Sequence, residues 1–336
     1  PEPWLFATKE ELQTAVNLWT GTEQNKQTAI ENYGDINEWN LSLITNMSGL
    51  FKSKSSFNDD ISNWDVSSVT NMRQMFRGCN LFNQPLNSWD VSSVVDMEYM
   101  FNSTKAFNQP LNNWNVSNVT TMGRMFTSSV FNQPLNSWDV SSVTDMSYMF
   151  QSAIVFNKNI SGWDVSKVKN MVRMFDEAKA FNQSINTNTV NRDDGSTYTA
   201  WDVSSVTDME KMFFRTTAFN QSLNSWDVSS VGNMGGMFYI TKAFNQSLNS
   251  WNVSSVTDMK EMFRSANVFD ENISQWDVSN VTDMSSMFKE APVFNQDISK
   301  WNVSKVKNMN AMFTEANNFN QSINTNTVNR DDGSTY

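Results

Sequence analysis

Oxygen-bearing side chains recur at a fixed step along this chain, and one column of carboxylates is the set most capable of chemistry. With Trp89 taken as position zero of a repeat, position +1 holds Asp65, Asp90, Asp139, Asp164, Asp202, Asp227 and Asp277, with Asn40, Asn115, Asn252 and Asn302 in the other repeats. Stacked segments lie about 4.8 Å apart, and like charges at that spacing repel unless solvated, hydrogen-bonded or bridged by a cation. Each carboxylate can accept from its own turn's backbone N–H groups, as in an Asx turn. Alternatively, carboxylates of adjacent repeats can hold calcium. Asp202 and Asp227 are the calcium candidates of this column, and Asp193 and Asp194 form a separate pair in an insert. The four asparagines and the lack of a calcium loop of the usual form favour the turn. Bound calcium would show as a large fall in Tm with EGTA; an unchanged Tm excludes it.

Other chemistry is scarce. The chain has no histidine to serve as a base and a single cysteine, Cys79, so neither a disulfide framework nor a common zinc site can be built. No Gly-rich phosphate loop or nucleophile motif is present, and acidic pairs that recur at a fixed step read as architecture. We therefore expect no enzyme, no catalytic residues and no cofactor beyond calcium. Most of the 21 methionines fall at +8 and +11, a pattern of core packing rather than of a soft-metal site. The net charge of −11 disfavours nucleic acid and anionic membrane surfaces, which need basic patches. No apolar run approaches the ~20 residues that span a bilayer, so no membrane insertion is expected in this segment.

Binding contacts should lie where the repeats differ, at +9, +10 and +13 to +17. Those positions include Arg73, Gln74, Arg77, Glu98, Tyr99, Arg124, Tyr148, Arg173, Lys211, Arg215, Tyr239, Lys260 and Arg264, and the insert adds Arg192 and Tyr198. Arg and Tyr are common binding anchors; the same residues also suit a solvated helix face. N-glycosylation sequons are numerous, and Asn102 of Asn102-Ser103-Thr104, in the variable stretch, is the best candidate.

The elements that position these residues follow from the period. Trp39, Trp64, Trp89, Trp114, Trp138, Trp163, Trp201, Trp226, Trp251, Trp276 and Trp301 are spaced by 25 residues, with one step of 24 and one of 38. A fixed period of that size marks a solenoid or similar array. Within a unit, Val94, Met97 and Phe101 are spaced i, i+3, i+7, one face of a short helix. The serine at +3, such as Ser92, suits its N-cap, and Asp96 at +7 its first turn. The segment Leu111–Val116 reads as a short strand. The expected fold is an α/β repeat solenoid, leucine-rich-repeat-like, with one short strand and one short helix per 25-residue coil.

A second column, Asn58, Asn83, Asn108, Asn132 and onward, with Asp270 the one exception, suggests an amide ladder between coils. Residues 1–36 lie outside the repeat. Thr8-Lys9-Glu10-Glu11 precedes Leu12, Ala15, Val16 and Trp19, and a second helix is expected at about 23–32, giving a helical N-terminal cap. Residues 37–336 form eleven repeats, with a hairpin insert at 187–199 signalled by Asp194-Gly195 and a copy of it at 325–336. Residues 319–336 repeat residues 181–198 letter for letter, which leads us to expect a piece of a longer array.

The string Trp138-Asp139-Val140-Ser141-Ser142-Val143-Thr144-Asp145-Met146-Ser147-Tyr148-Met149-Phe150, followed by Phe156-Asn157, closely resembles the roughly 26-residue bacterial surface-protein repeat. That repeat belongs to the BspA-like leucine-rich-repeat surface proteins and is found also in mycoplasma and Listeria lipoproteins. The resemblance spans essentially the whole chain. It implies an extracellular or cell-surface protein that mediates adhesion or self-assembly, with a protein or glycan on a cell surface, or other copies of itself, as partners. A receptor-type module binding carbohydrate or host protein through one solenoid face is the alternative. The insert departs from the basic repeat, and the family has no shared catalytic residues to transfer.

Overall fold

The computed structural model describes residues 3–192 and 194–323, in two compact units, Pro1–Lys167 and Val168–Tyr336. The first unit opens with α1 (Lys9–Trp19) and α2 (Glu23–Tyr33). Thr8 caps α1 by accepting from the Glu11 N–H at 3.2 Å, while Glu11 reaches back to the Ala7 N–H at 3.1 Å. Thr22 and Asn25 form a full capping box at the start of α2. Leu12, Ala15, Val16 and Trp19 make the buried stripe of α1, and Trp19 meets Trp39, the first repeat tryptophan, edge-on at 5.8 Å. The segment ahead of α1 also pairs with the first repeat: Asn40 N–H donates to the Trp4 carbonyl and Phe6 N–H to the Asn40 carbonyl, both at 3.0 Å. This pairing has no signal in the hydrophobic pattern, because its bonds are backbone bonds.

The repeats depart from the expected helix and strand. Among the described residues, the only helices are α1, α2 and a 3₁₀ turn at Ile36–Glu38, and the only strands are β1 (Asn188–Asn191) and β2 (Thr197–Ala200). Each repeat is instead a run of tight turns. In the Trp89 repeat, Met100 N–H bonds the Met97 carbonyl, Asn102 the Tyr99 carbonyl and Thr104 the Phe101 carbonyl. The intervening N–H groups of Met97, Tyr99, Phe101 and Ser103 donate to Thr121, Gly123, Met125 and Thr127 of the next repeat, at 3.2, 3.0, 2.9 and 2.8 Å. A helix would consume every N–H internally; here half are given to the neighbour. The turns recur about as often as helical turns do, which is why Val94, Met97 and Phe101 carry helical spacing without a helix.

Two positions per repeat pay for this geometry with left-handed backbone. In the first unit, φ at +10 is 67° at Gly49, 58° at Gln74, 60° at Tyr99, 58° at Arg124 and 58° at Tyr148; at +14 it is 61° at Ser53, 74° at Gly78, 59° at Ser103 and 55° at Ser128. Tyr99 and Ser103 each sit third in a four-residue turn, where a positive φ closes a type II turn. The strand expected at Leu111–Val116 is also replaced by a turn, Trp114 N–H bonding the Leu111 carbonyl at 3.1 Å. Extended pairing shrinks to isolated parallel bridges at +7, through Asn46, Asn71, Asp96, Thr121 and Asp145.

Aromatic columns fill the interior. Trp64 and Trp89 stack at 6.3 Å with planes 2° apart, Phe76 and Phe101 at 5.6 Å, and Phe82 and Phe107 at 5.8 Å. Within one repeat, Phe76 lies 4.3 Å from Phe82. Each such pair adds about 0.5–1.5 kcal/mol beyond burial. Met72, Met75, Met97 and Met100 are fully buried beside them. Repeat indoles also satisfy a carbonyl about one period earlier in the chain: Trp64 Nε1 donates to Ile36 at 2.7 Å and Trp114 Nε1 to Leu86 at 2.8 Å.

The second unit repeats the scheme, with Trp226 and Trp251 stacked at 6.5 Å and Phe213 and Phe238 at 5.7 Å. It also carries the insert, where β1 and β2 pair antiparallel with Val190 opposite Tyr198. Gly195 has a φ of 82° at the tip, and Asp194 accepts from the Ser196 N–H at 2.9 Å. At the root, Thr187 N–H donates to Ser225 Oγ at 3.0 Å. The copy expected at 325–336 lies outside the described residues.

The left-handed positions give a direct test. At Ser128, glycine, already present at the equivalent Gly78 with a φ of 74°, relieves about 1–2 kcal/mol of strain and costs about 0.5–1 kcal/mol in chain entropy. Thermal unfolding of Ser128→Gly should match or exceed that of the parent. Ser128→Val, β-branched at a positive φ, should unfold well below it; equal Tm values for the two variants would contradict the assigned backbone.

Candidate interaction face

Most side chains that recur at a fixed position are consumed by the architecture. The column at +1 forms an Asx turn in every repeat, from Asn40 accepting the Ser42 N–H at 3.1 Å to Asn302 accepting the Ser304 N–H at 3.1 Å. The serine at +3 is thus the donor of a side-chain turn and not a helix N-cap. The +7 column does the same wherever it holds Asp or Asn: Asp96 accepts from the Glu98 N–H at 2.9 Å and Asp208 from the Glu210 N–H at 2.9 Å. Within each unit the asparagines at +19 form a ladder in which an Oδ1 accepts the N–H of its counterpart one repeat on, as from Asn83 to Asn58 at 2.9 Å and from Asn108 to Asn83 at 3.0 Å. Asp270 fits that ladder because only its oxygen is used; it accepts from the Asn295 N–H at 2.8 Å.

The acidic residues singled out for calcium occupy such turns. Asp202 accepts from the Ser204 N–H and Asp227 from the Ser229 N–H, each at 3.0 Å. Hydrogen bonds from Ser229 hold Asp227 below the usual carboxylate range, and those from Ser196 do the same for Asp194. Asp193 lies outside the described residues. Among the described residues, no group of three or more His, Cys, Asp or Glu is placed to hold a metal ion, and no helix is long and apolar enough to cross a membrane. Asn102, expected at the surface, is a correction: it is buried at 8 % exposure, with its Oδ1 accepting from Ser103 Oγ at 3.0 Å. An acceptor asparagine must be presented to solvent; the left-handed turn at Ser103 folds this one inward. The Cys79 thiol is buried, donates to the Phe51 carbonyl at 3.0 Å and is pushed up to about 12 by burial, which makes it unreactive.

What remains is the variable turn face. In the first unit, the structure gathers three of the sequence candidates there. The Arg124 guanidinium lies 5.2 Å from the Tyr99 ring centre and 4.0 Å from that of Tyr148. Arg77 and Arg73 approach the same Tyr99 ring at 5.0 and 5.7 Å. These residues come from successive repeats, and Gln74, Tyr99, Arg124 and Tyr148 occupy the left-handed +10 position. Stacked turns put +10 of one repeat beside +10 of the next, which makes an alternating Tyr–Arg ladder. Arg73 also pairs with Glu98. All five residues, Arg73 and Arg77 included, stand at variable positions, but their contact depends on inter-repeat register.

The other candidates belong to the second unit. Arg173, in the second unit, forms an ion pair with Asp176 at 3.3 Å. Arg192 lies 4.3 Å from the Tyr198 ring, across the hairpin. Elsewhere on the second unit's turn face, several cations are matched with acids: Arg215 with Glu177 at 2.8 Å, Lys211 with Glu210 at 2.9 Å, and Arg264 with Glu261 at 2.7 Å.

Burial raises the Asp208 carboxyl above its ordinary range. Its ionised form is therefore disfavoured in the fold, a penalty fully present above the folded pKa and gone below the unfolded value of about 3.9. Asp208→Asn keeps the acceptor oxygen, as Asn233 does at the same position. It should raise Tm at pH 7 and leave it unchanged at pH 3; a loss of Tm at pH 7 would contradict the assigned burial.

Comparison with known proteins places these features in a family. The family model described as "Mycoplasma protein of unknown function, DUF285" matches four times, over residues 20–130, 116–197, 188–277 and 247–334. No curated protein matches the chain. Among solved structures, the "Crystal structure of TLR13-ssRNA13 complex" aligns at 7 % identity over 76 % of this chain and 48 % of that chain, with a TM-score of 0.16. The chain thus spans about half the length of that protein, and the likeness carries no fold argument.

Proposed function

We propose that this chain, which belongs to the DUF285 family, is a non-enzymatic extracellular surface protein that binds a protein or glycan on a cell surface through the turn face of its repeats. The single observation that carries this reading is the division of labour among positions. Columns that recur are consumed by Asx turns, the asparagine ladder and aromatic stacks, while the variable +9, +10 and +13 positions gather Arg73, Arg77, Tyr99, Arg124 and Tyr148. We read the array as a solenoid of the leucine-rich-repeat-like surface type, wound from turns rather than from helix and strand. Acidic residues committed to turns, in a chain without histidine, support a protein that holds surfaces rather than one that turns over substrate.

Self-assembly is the second reading, favoured by the exposed hairpin of β1 and β2. A two-stranded hairpin leaves unpaired edges on which another strand can add.

The two readings separate experimentally. Changing Tyr99, Arg124 and Tyr148 together to alanine should weaken saturable binding on a glycan and matrix-protein array by at least about tenfold, the loss of one hot-spot cluster, with the circular dichroism spectrum retained. Binding unchanged in the triple variant would overturn the adhesive reading. Deleting residues 187–199 should leave array binding intact; loss of oligomers or filaments in electron micrographs on that deletion would favour assembly instead.

A further inference from the structure

Charge on the turn face is unevenly shared. From +9 to +16 of the repeats beginning at Trp39, Trp64, Trp89 and Trp114, the cations are Lys52, Lys54, Arg73, Arg77, Lys105 and Arg124, and the one acid is Glu98. The chain as a whole carries −11. Three guanidiniums lie within 5.7 Å of the Tyr99 ring centre. Only Arg73 has a carboxylate, Glu98; among the described residues neither Arg77 nor Arg124 is ion-paired. Their charge is held by the ring quadrupole, worth about 0.5–1 kcal/mol at an exposed site, against the repulsion of like charges. Lys105 lies on the same face, donating to the Ser128 carbonyl at 2.9 Å.

We propose that this face of the first unit is a binding site for a linear polyanionic polysaccharide, a chain of sulfated or carboxylated sugars. The proposal rests on the adhesive reading above and names its ligand class. Guanidiniums present planar donor forks that match carboxylate and sulfate oxygens. The cations run from repeat to repeat along the column, so an extended ligand meets a row of them. The net charge of −11 does not forbid this, because charges more than about 8 Å from the face are screened at physiological salt; close by, Asp96 also acts on Arg73. Nucleic acid fits less well: Arg73 and Arg77 approach the Tyr99 ring from the preceding repeat and Arg124 from the following one. A stacked base, the main source of single-strand affinity, would have to displace guanidiniums from that ring.

The test uses the full chain with dextran sulfate, polygalacturonate, neutral dextran and single-stranded DNA as probes, read by fluorescence anisotropy across a salt series. Dextran sulfate or polygalacturonate should bind with salt-dependent affinity. Arg77→Gln with Arg124→Gln should weaken it by about tenfold or more, as removal of two ionic contacts does. Glu98→Gln deletes the one acid and frees Arg73, and should tighten binding by about two- to threefold, a gain that a damaged fold cannot produce. Absence of polyanion binding, equal binding to neutral dextran, stronger binding to single-stranded DNA, or a Glu98→Gln variant no tighter than the parent would each overturn the proposal. If the parent still binds a protein or neutral glycan on the array and loses it in the Tyr99, Arg124 and Tyr148 variant, the adhesive reading stands and only the polyanion assignment fails.

Discussion

Everything in these repeats depends on where the alternate backbone N–H groups go. Met97, Tyr99, Phe101 and Ser103 give theirs to Thr121, Gly123, Met125 and Thr127 one repeat on, while the residues between them close turns within their own repeat. A buried N–H left unpaired costs about 1–3 kcal/mol, so this division fixes both the spacing of repeats and their register. It also dictates left-handed backbone at +10 and +14, because a turn that closes in three residues and still aims its neighbours outward needs a positive φ at its third position.

Side chains then specialise by column. Stacked copies of one residue type meet their own kind, which suits rings and amides and is hostile to charges. Trp and Phe stack face to face, methionine fills the space between them, and asparagine oxygens accept from the repeat above. The acids survive in columns because each is tied to the N–H two residues on. Asp270 within the asparagine ladder shows the rule by exception: a carboxylate is tolerated where only an acceptor is required.

The period, the buried tryptophans and the asparagine column are all readable in the letters, because each is a residue type at a fixed step. So is α1, whose apolar stripe and cap lie within one local segment. The helix inferred from Val94, Met97 and Phe101 was misleading for a physical reason: repeated turns and a true helix return side chains to one face at nearly the same interval. What separates them is φ at Tyr99 and Ser103, and neither residue type announces a positive value. Glycine does so at Gly49, Gly78 and Gly236, at the same two positions, and that was the signal available. The Tyr–Arg ladder was half legible. Its members stand at variable positions, but their contacts arise only once the register between repeats is known.

On this turn face the molecule has freedom left over from its architecture, and the first unit uses it for cations grouped around a tyrosine, while in the second several cations are paired with acids. The most direct measurement of the account beneath this is scalar coupling across hydrogen bonds by NMR, between amide nitrogens and carbonyl carbons. Couplings are expected from Tyr99 N to the Gly123 carbonyl and from Phe101 N to the Met125 carbonyl. Couplings from those nitrogens to the carbonyls of Val95 and Met97, four residues earlier in the chain, would mean a helix and would contradict this pairing.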